Sequence, residues 1–246
     1  MKLLVCISKA PDTTTKIAFT DNNTKFNETG VQYIVNPYDE WYALVRALEL
    51  KETLGGTVTI LTVGPAADEA IIRKALAIGA DEAVRIDANP DDALFVARQI
   101  AAFAKDKAFD IILTGKETID YNGSQVGGMI AELLDLPFIS LASKLDVNGS
   151  EATLETDIPG GSEVVSVSLP FVVSCAKGMA EARIPNMRGI MAARTKPLTV
   201  VPAFDDKRFT SIKSYSLPPE KKGCKYISAE NPAELIDLLH NEAKVI

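Results

Sequence analysis

A chain of 246 residues, 47% hydrophobic and 24% charged, is long enough for one sizeable core plus an appendage, and no apolar run approaches the roughly 20 residues of a membrane span. A net charge of −7 argues against a nucleic-acid binder, whose affinity rests on clustered Lys and Arg. The single His240 and the scattered Cys6, Cys175 and Cys224 suggest neither a disulfide framework nor a multi-histidine metal site.

Apolar periodicity alternates between strand and helix along the chain, which predicts the α/β class with a parallel sheet. Met1 runs straight into a strand from Lys2 to about Ser8, with no secretory pattern, so a soluble cytoplasmic chain is expected. Between Thr15 and Val35 a polar stretch with Ile17-Ala18-Phe19 and the turn Asp21-Asn22-Asn23 predicts a small hairpin. Asn36-Pro37 punctuates the chain, and Trp41, Leu44, Val45 and Leu48 then mark one helix face up to Gly55-Gly56. A strand over Thr57 to Val63 stops at Gly64-Pro65, and a helix carrying Ile71, Ile72, Ala75 and Ile78 closes at Gly79. Ala83 to Ile86 reads as a further strand, and Ala93, Val96, Ala97, Ile100 and Ala104 as the stripe of a third helix.

The strand from Asp110 to Leu113 leads into the loop Gly115 to Gly127, followed by a helical pattern in Val126, Met129, Ile130 and Leu133. Beyond it, three segments from Leu141 to Leu169 alternate as antiparallel strands, and Phe171 to Cys175 is expected to be the last core strand. From about Lys196 prolines break the pattern, and a final helix is expected after a capping Asn231 and Pro232. The division expected is a nucleotide-binding body over residues 1–200 and an arm over 201–246. An apolar helix on a tether of roughly 30 irregular residues needs a surface to cover it.

A strand ending in a glycine-bounded, hydroxyl-bearing loop that re-enters a helix has the outline of a phosphate cradle, because N–H groups at a helix start attract anions. The loop opens with Gly115-Lys116 but lacks the closing Gly-Lys-Ser/Thr of a Walker A sequence, so triphosphate hydrolysis is not implied. Ser124 is placed to cap the next helix, leaving N–H groups near Gln125, Val126 and Gly127 to face a phosphate while Gly123 permits close approach. Asp120 would face a ribose hydroxyl or stabilise the turn. The first strand delivers Cys6, Ile7 and Ser8, and the second Thr62, Val63 and Gly64, to the carboxyl edge of the sheet, where such folds bind ligands. Asn36 is a ligand amide or a helix cap, and Cys6 and Cys175 read as buried thiols. In the segment Glu181 to Arg194, Met187 sits between Arg183 and Arg188 at a turn entering a helix. Its flexible apolar side chain is either a partner-docking anchor or a core methionine.

Together these segments resemble the β (small) subunit of electron transfer flavoprotein. The likeness is carried by Val35-Asn36-Pro37-Tyr38-Asp39-Glu40, Gly64-Pro65, Ala75 to Asp81, Gly115-Lys116 through Asp120 to Gln125-Val126-Gly127, and Arg183 through Met187 to Arg194, in family order over roughly residues 1 to 200. The resemblance implies a Rossmann-like body with a C-terminal arm, paired with an α subunit that carries FAD, and an AMP buried in this chain. AMP contacts would fall on Cys6, Asn36, Pro37, Tyr38 and Asp39, on Val63, and on Gly115, Lys116, Asp120, Gly123, Ser124, Gln125 and Val126. Arg183, Met187 and Arg188 would dock flavin dehydrogenases such as acyl-CoA dehydrogenases, with Met187 where the family anchors through leucine. The implied role is an electron carrier and not an enzyme, with AMP as a structural filler. Its rivals are a bifurcating subunit with a second FAD in place of AMP, and a stand-alone nucleotide sensor resembling the universal stress proteins. An enzyme that cleaves or adenylates a substrate is disfavoured by the histidine-free body.

Overall fold

The first strand, β1 (Lys2–Cys6), shows how the sheet is covered: Leu3 and Val5 enter one core cluster, Leu4 and Cys6 the other, and all are buried. Period-two side chains that are apolar on both faces demand helices above and below. The computed structural model, which describes residues 1–117, 123–204, 207–220 and 223–246, supplies them.

After β1 come the short strands β2 (Lys9–Pro11), β3 (Phe19–Thr20), β4 (Lys25–Phe26) and β5 (Tyr33–Val35). β2 pairs with β5, and β3 with β4 forms the expected small hairpin. Then follow α1 (Glu40–Leu54), β6 (Thr57–Val63), α2 (Glu69–Ile78), β7 (Glu82–Asp87), α3 (Ala93–Ala104), β8 (Ile111–Gly115) and α4 (Val126–Leu134). The chain continues through β9 (Phe138–Asn148), β10 (Glu151–Ile158), β11 (Gly161–Ser168), β12 (Phe171–Cys175), α5 (Met187–Ala193), β13 (Leu198–Pro202) and α6 (Pro232–Asp237).

The nine-stranded sheet has the order β11-β10-β9-β12-β8-β1-β6-β7-β13. Every pair from β9 to β13 is parallel, and only β10 and β11 extend it as an antiparallel hairpin. On one face α1 and α2 bury Leu44, Leu48, Ile72 and Leu76 against Leu3, Val5 and Ile60; on the other α3 and α4 bury Phe95, Ile100 and Ile130 against Leu61 and Ile112. Each such side chain contributes about 1.5–3 kcal/mol of burial. The architecture is the α/β fold with a largely parallel sheet expected from the alternation, and it has the Rossmann-like body that the resemblance implies.

Two expectations are corrected. Phe171–Cys175 is not the last strand of the sheet, because β13 pairs in parallel with β7 at the far edge. Asn231 precedes α6, with Pro232 at the first turn, but its side chain caps no backbone N–H and instead reaches Glu234 at 3.4 Å. Two compact units are present, Met1–Ser214 and Tyr215–Ile246. In the second, α6 continues into a π-helical stretch, Leu238–Ala243, and Leu235 and Ile236 are exposed. Among the described residues no helix is long and apolar enough to cross a membrane, and no cluster of His, Cys, Asp or Glu is placed to hold a metal ion.

Candidate functional site

The carboxyl ends of β1 and β8 lie side by side at the centre of the sheet, and the start of α1 is tied to both. Glu40, buried in the first turn of α1, accepts from the Ser8 N–H at 2.6 Å and the Ser8 hydroxyl at 2.8 Å. Asp39 caps α1: one carboxylate oxygen accepts from the Glu40 N–H at 2.9 Å, the other from the Glu117 N–H at 2.6 Å. Asn36, fully buried, donates to the Glu117 carbonyl at 3.2 Å and accepts from the Tyr38 N–H at 3.3 Å. Asn36 is therefore not the helix cap. Its amide and the Asp39 carboxylate clasp residue 117 from both sides, which makes the β5–α1 turn and the β8 loop one frame, with Pro37 partly buried and the Tyr38 ring exposed beside it.

Burial pushes the Asp39 carboxyl up to about 6, overcoming the N–H donors of Glu117 and Glu40; the neighbouring charges of Glu117 and Lys116 act in opposite senses. Gly115 is required here by close approach, since a Cβ would lie 2.7 Å from the Asp39 carboxylate and 2.8 Å from the Glu40 side chain. Cys6 and Val63 end β1 and β6 as buried members of one cluster. Burial raises the Cys6 thiol far above its ordinary range, so it stays protonated and acts as a small apolar group.

At the other end of the loop Ser124 adopts φ +53°, and its hydroxyl donates to the Lys116 carbonyl at 2.7 Å. This corrects the expected cap: the hydroxyl closes the loop on itself and leaves the helix start alone. Gln125, just ahead of α4, provides no side-chain cap, whereas α1, α3 and α5 are capped by Asp39, Asp92 and Asn186. α2 also lacks a side-chain cap, but it continues a 3-10 turn, Ala66–Asp68. Among the described residues, the start of α4 has no side-chain cap and a Cβ added at Gly123 would meet nothing within 4 Å, an arrangement that suits an anionic group. The cradle thus fits a phosphate. Asp120 lies outside the described residues.

The second candidate region is α5. Asn186 caps it by accepting from the Gly189 N–H at 2.8 Å, and Met187 begins it 73% exposed, so this methionine is not part of the core. Ile184 (84% exposed), Ile190 and Met191 extend the apolar surface. The underside is seated on α2: Gly189 passes where a Cβ would come within 2.3 Å of the Ala77 carbonyl, and Arg73 donates to the Ala193 and Lys196 carbonyls, each at 2.7 Å. Arg183 is engaged by Glu52 through two hydrogen bonds of 2.6 and 3.1 Å, which pins the loop to the end of α1, while Arg188 is exposed.

Glu40, Glu117 and Glu52 had no assigned role in the sequence, although Glu40 belongs to the Asn36–Glu40 motif. An acidic residue in a first turn is a signal for Glu40; nothing local marks the other two, whose partners lie 78 and 131 residues away.

Comparison with known proteins gives this geometry its context. The electron transfer flavoprotein domain family matches residues 23–206. The chain is 38% identical over 261 residues to the electron transfer flavoprotein subunit beta of Bacillus subtilis, covering 100% of both chains. It is 37% identical to the subunit beta of Syntrophomonas wolfei, over 90% of this chain and 87% of that one. It is 32% identical to the mitochondrial subunit beta of Oryza sativa subsp. indica, again over 100% of both. The chain therefore belongs to the electron transfer flavoprotein family, and as a β subunit it takes part in electron transfer as a carrier, not as an enzyme.

Proposed function

We propose that this chain is the small subunit of a heterodimeric electron transfer flavoprotein that holds AMP at the rim of its sheet and docks partner dehydrogenases through α5. The observation that carries the nucleotide reading is the uncapped start of α4 beside the frame of Asn36, Asp39 and Gly115. In it the N–H groups of Val126 and Gly127 receive the phosphate, Gly123 gives it room, and Lys116 lends positive charge. The exposed ring of Tyr38 and the chain ends after Cys6 and Val63 border the base. The nucleotide supplies no electron chemistry. It stabilises the fold by binding only the native state, worth about 2.7 kcal/mol at a hundredfold excess over Kd.

The redox step belongs to an FAD carried by an α subunit, and the arm beyond residue 200 packs on that subunit in the cytoplasm, covering Leu235 and Ile236. Dehydrogenases of the acyl-CoA class dock on the apolar face of Met187, with Arg188 beside it and Arg183 holding the loop in place.

Nucleotides extracted from the purified heterodimer test this reading. One FAD and one AMP per dimer support it; two FAD replace it with the bifurcating alternative, in which the same cradle holds the second flavin's adenylate. No adenylate beyond the α-subunit flavin ends it. For the docking face, Met187→Ala is expected to raise the KM for the native dehydrogenase about tenfold by removing a central apolar anchor.

A further inference from the structure

The sulfur atoms of this chain are unequally accessible to an oxidant. Cys6, Cys175 and Met179 are buried and Met1 and Met129 are partly buried, whereas Met187 and Met191 are 73% and 66% exposed. Among the described residues of the unit Met1–Ser214, no other sulfur is exposed. Four residues apart on α5, the two side chains rise from one helix face on successive turns. Ile184 and Ile190 flank them, so both thioethers lie within the apolar surface.

We propose that Met187 and Met191 are a peroxide-oxidation site, and that their conversion to sulfoxide weakens docking of the dehydrogenase; this rests on the docking reading above. In each event the thioether sulfur attacks one peroxide oxygen and the O–O bond breaks. A sulfur–oxygen bond forms, sulfur loses two electrons, and the proton of the transferred oxygen leaves with the departing hydroxide as water. An apolar, flexible side chain becomes a polar one with a strong acceptor. In a docked interface that acceptor is desolvated without a donor shaped to meet it, a cost expected to raise KM about tenfold or more. The seating of α5 is untouched, because it depends on the Asn186 cap, the Arg183–Glu52 pair and the Arg73 contacts to main-chain carbonyls. The change is therefore confined to the surface and reversible by methionine sulfoxide reductases.

The experiment uses the purified heterodimer with Cys224→Ser throughout, treated with hydrogen peroxide. Peptide mass spectrometry gives sulfoxide at each methionine, and steady-state kinetics gives KM and kcat with the native dehydrogenase. Three chains are compared, each with its own untreated sample: the otherwise native protein, Met187→Ala, and Met187→Leu with Met191→Leu. The inference expects residues 187 and 191 to oxidise before the other methionines, KM to rise about tenfold with kcat held, reductase to restore KM, and the leucine pair to keep its own untreated KM. Full sulfoxide at both positions with KM unmoved overturns it, as does an equal loss in the leucine pair. If KM rises in Met187→Ala but not after oxidation, docking stands and oxidation sensing falls; if Met187→Ala leaves KM unchanged, docking falls and takes the inference with it.

Discussion

Asp39 at the head of α1 and Asp92 at the head of α3 are both buried aspartates that accept an N–H of the helix they begin, yet their carboxyls move in opposite directions, Asp39 up to about 6 and Asp92 down to about 2. Burial is the largest influence on Asp39, whereas the hydrogen bond donated by Thr210 is the largest on Asp92. At Asp92 one oxygen accepts from the Thr210 hydroxyl, the Thr210 N–H at 2.7 Å and the Phe209 N–H at 3.3 Å, while the other caps Phe95 at 2.8 Å. At Asp39 two N–H donors must offset burial beside the Glu117 carboxylate, and they do not. A saturated carboxylate fastens a strap of chain to the body; an under-satisfied one sits at the rim where a ligand is proposed to arrive.

Breaking the saturated side has the largest expected effect. Asp92→Ala removes the cap of α3 and leaves the donors of residues 209–210 without an acceptor, which should cost about 4 kcal/mol in urea unfolding. At the rim, Gly115→Ala forces a Cβ against the fixed Asp39 carboxylate and should cost about 3 kcal/mol and release the bound nucleotide, read by extraction from the heterodimer. The two carboxylates also predict opposite pH dependence. Below its ordinary 3.8, Asp92 stabilises the fold fully above about pH 4 and loses that contribution as pH falls towards 2. Above its ordinary 3.8, Asp39 holds its proton more tightly in the fold than in the unfolded chain, so stability declines as pH rises from about 4 to 6. Asp39→Asn should flatten that decline by about 2 kcal/mol across the window, measured by unfolding at stepped pH, while leaving the acid limb in place. The smallest effect belongs to the partly exposed Arg183–Glu52 pair: Arg183→Ala should cost less than about 1 kcal/mol of stability, and reversing both charges together should recover most of it.

Most of the sheet was legible because its strands are buried on both faces and read as apolar runs between helical stripes. β13 was not, and its composition explains why. Leu198 and Val201 are only partly buried, Thr199 and Val200 are exposed, and prolines stand at 197 and 202, which suits an edge strand held by main-chain bonds to β7. The cradle was legible as strand, glycine-bounded loop and helix. The turning of Ser124 away from its helix was not, since a left-handed serine is decided by the Lys116 carbonyl that its hydroxyl meets after the chain folds back. The strap on Asp92 joins residues 117 and 118 positions apart, a distance over which no local pattern operates.

The position of β13 also orders events during synthesis. β7 is complete by residue 87, but its outer edge waits for a strand more than a hundred residues downstream, after the helix that bears Met187. A nascent or truncated chain ending before Leu198 therefore presents an open row of backbone donors and acceptors along β7, the kind of edge that recruits another copy.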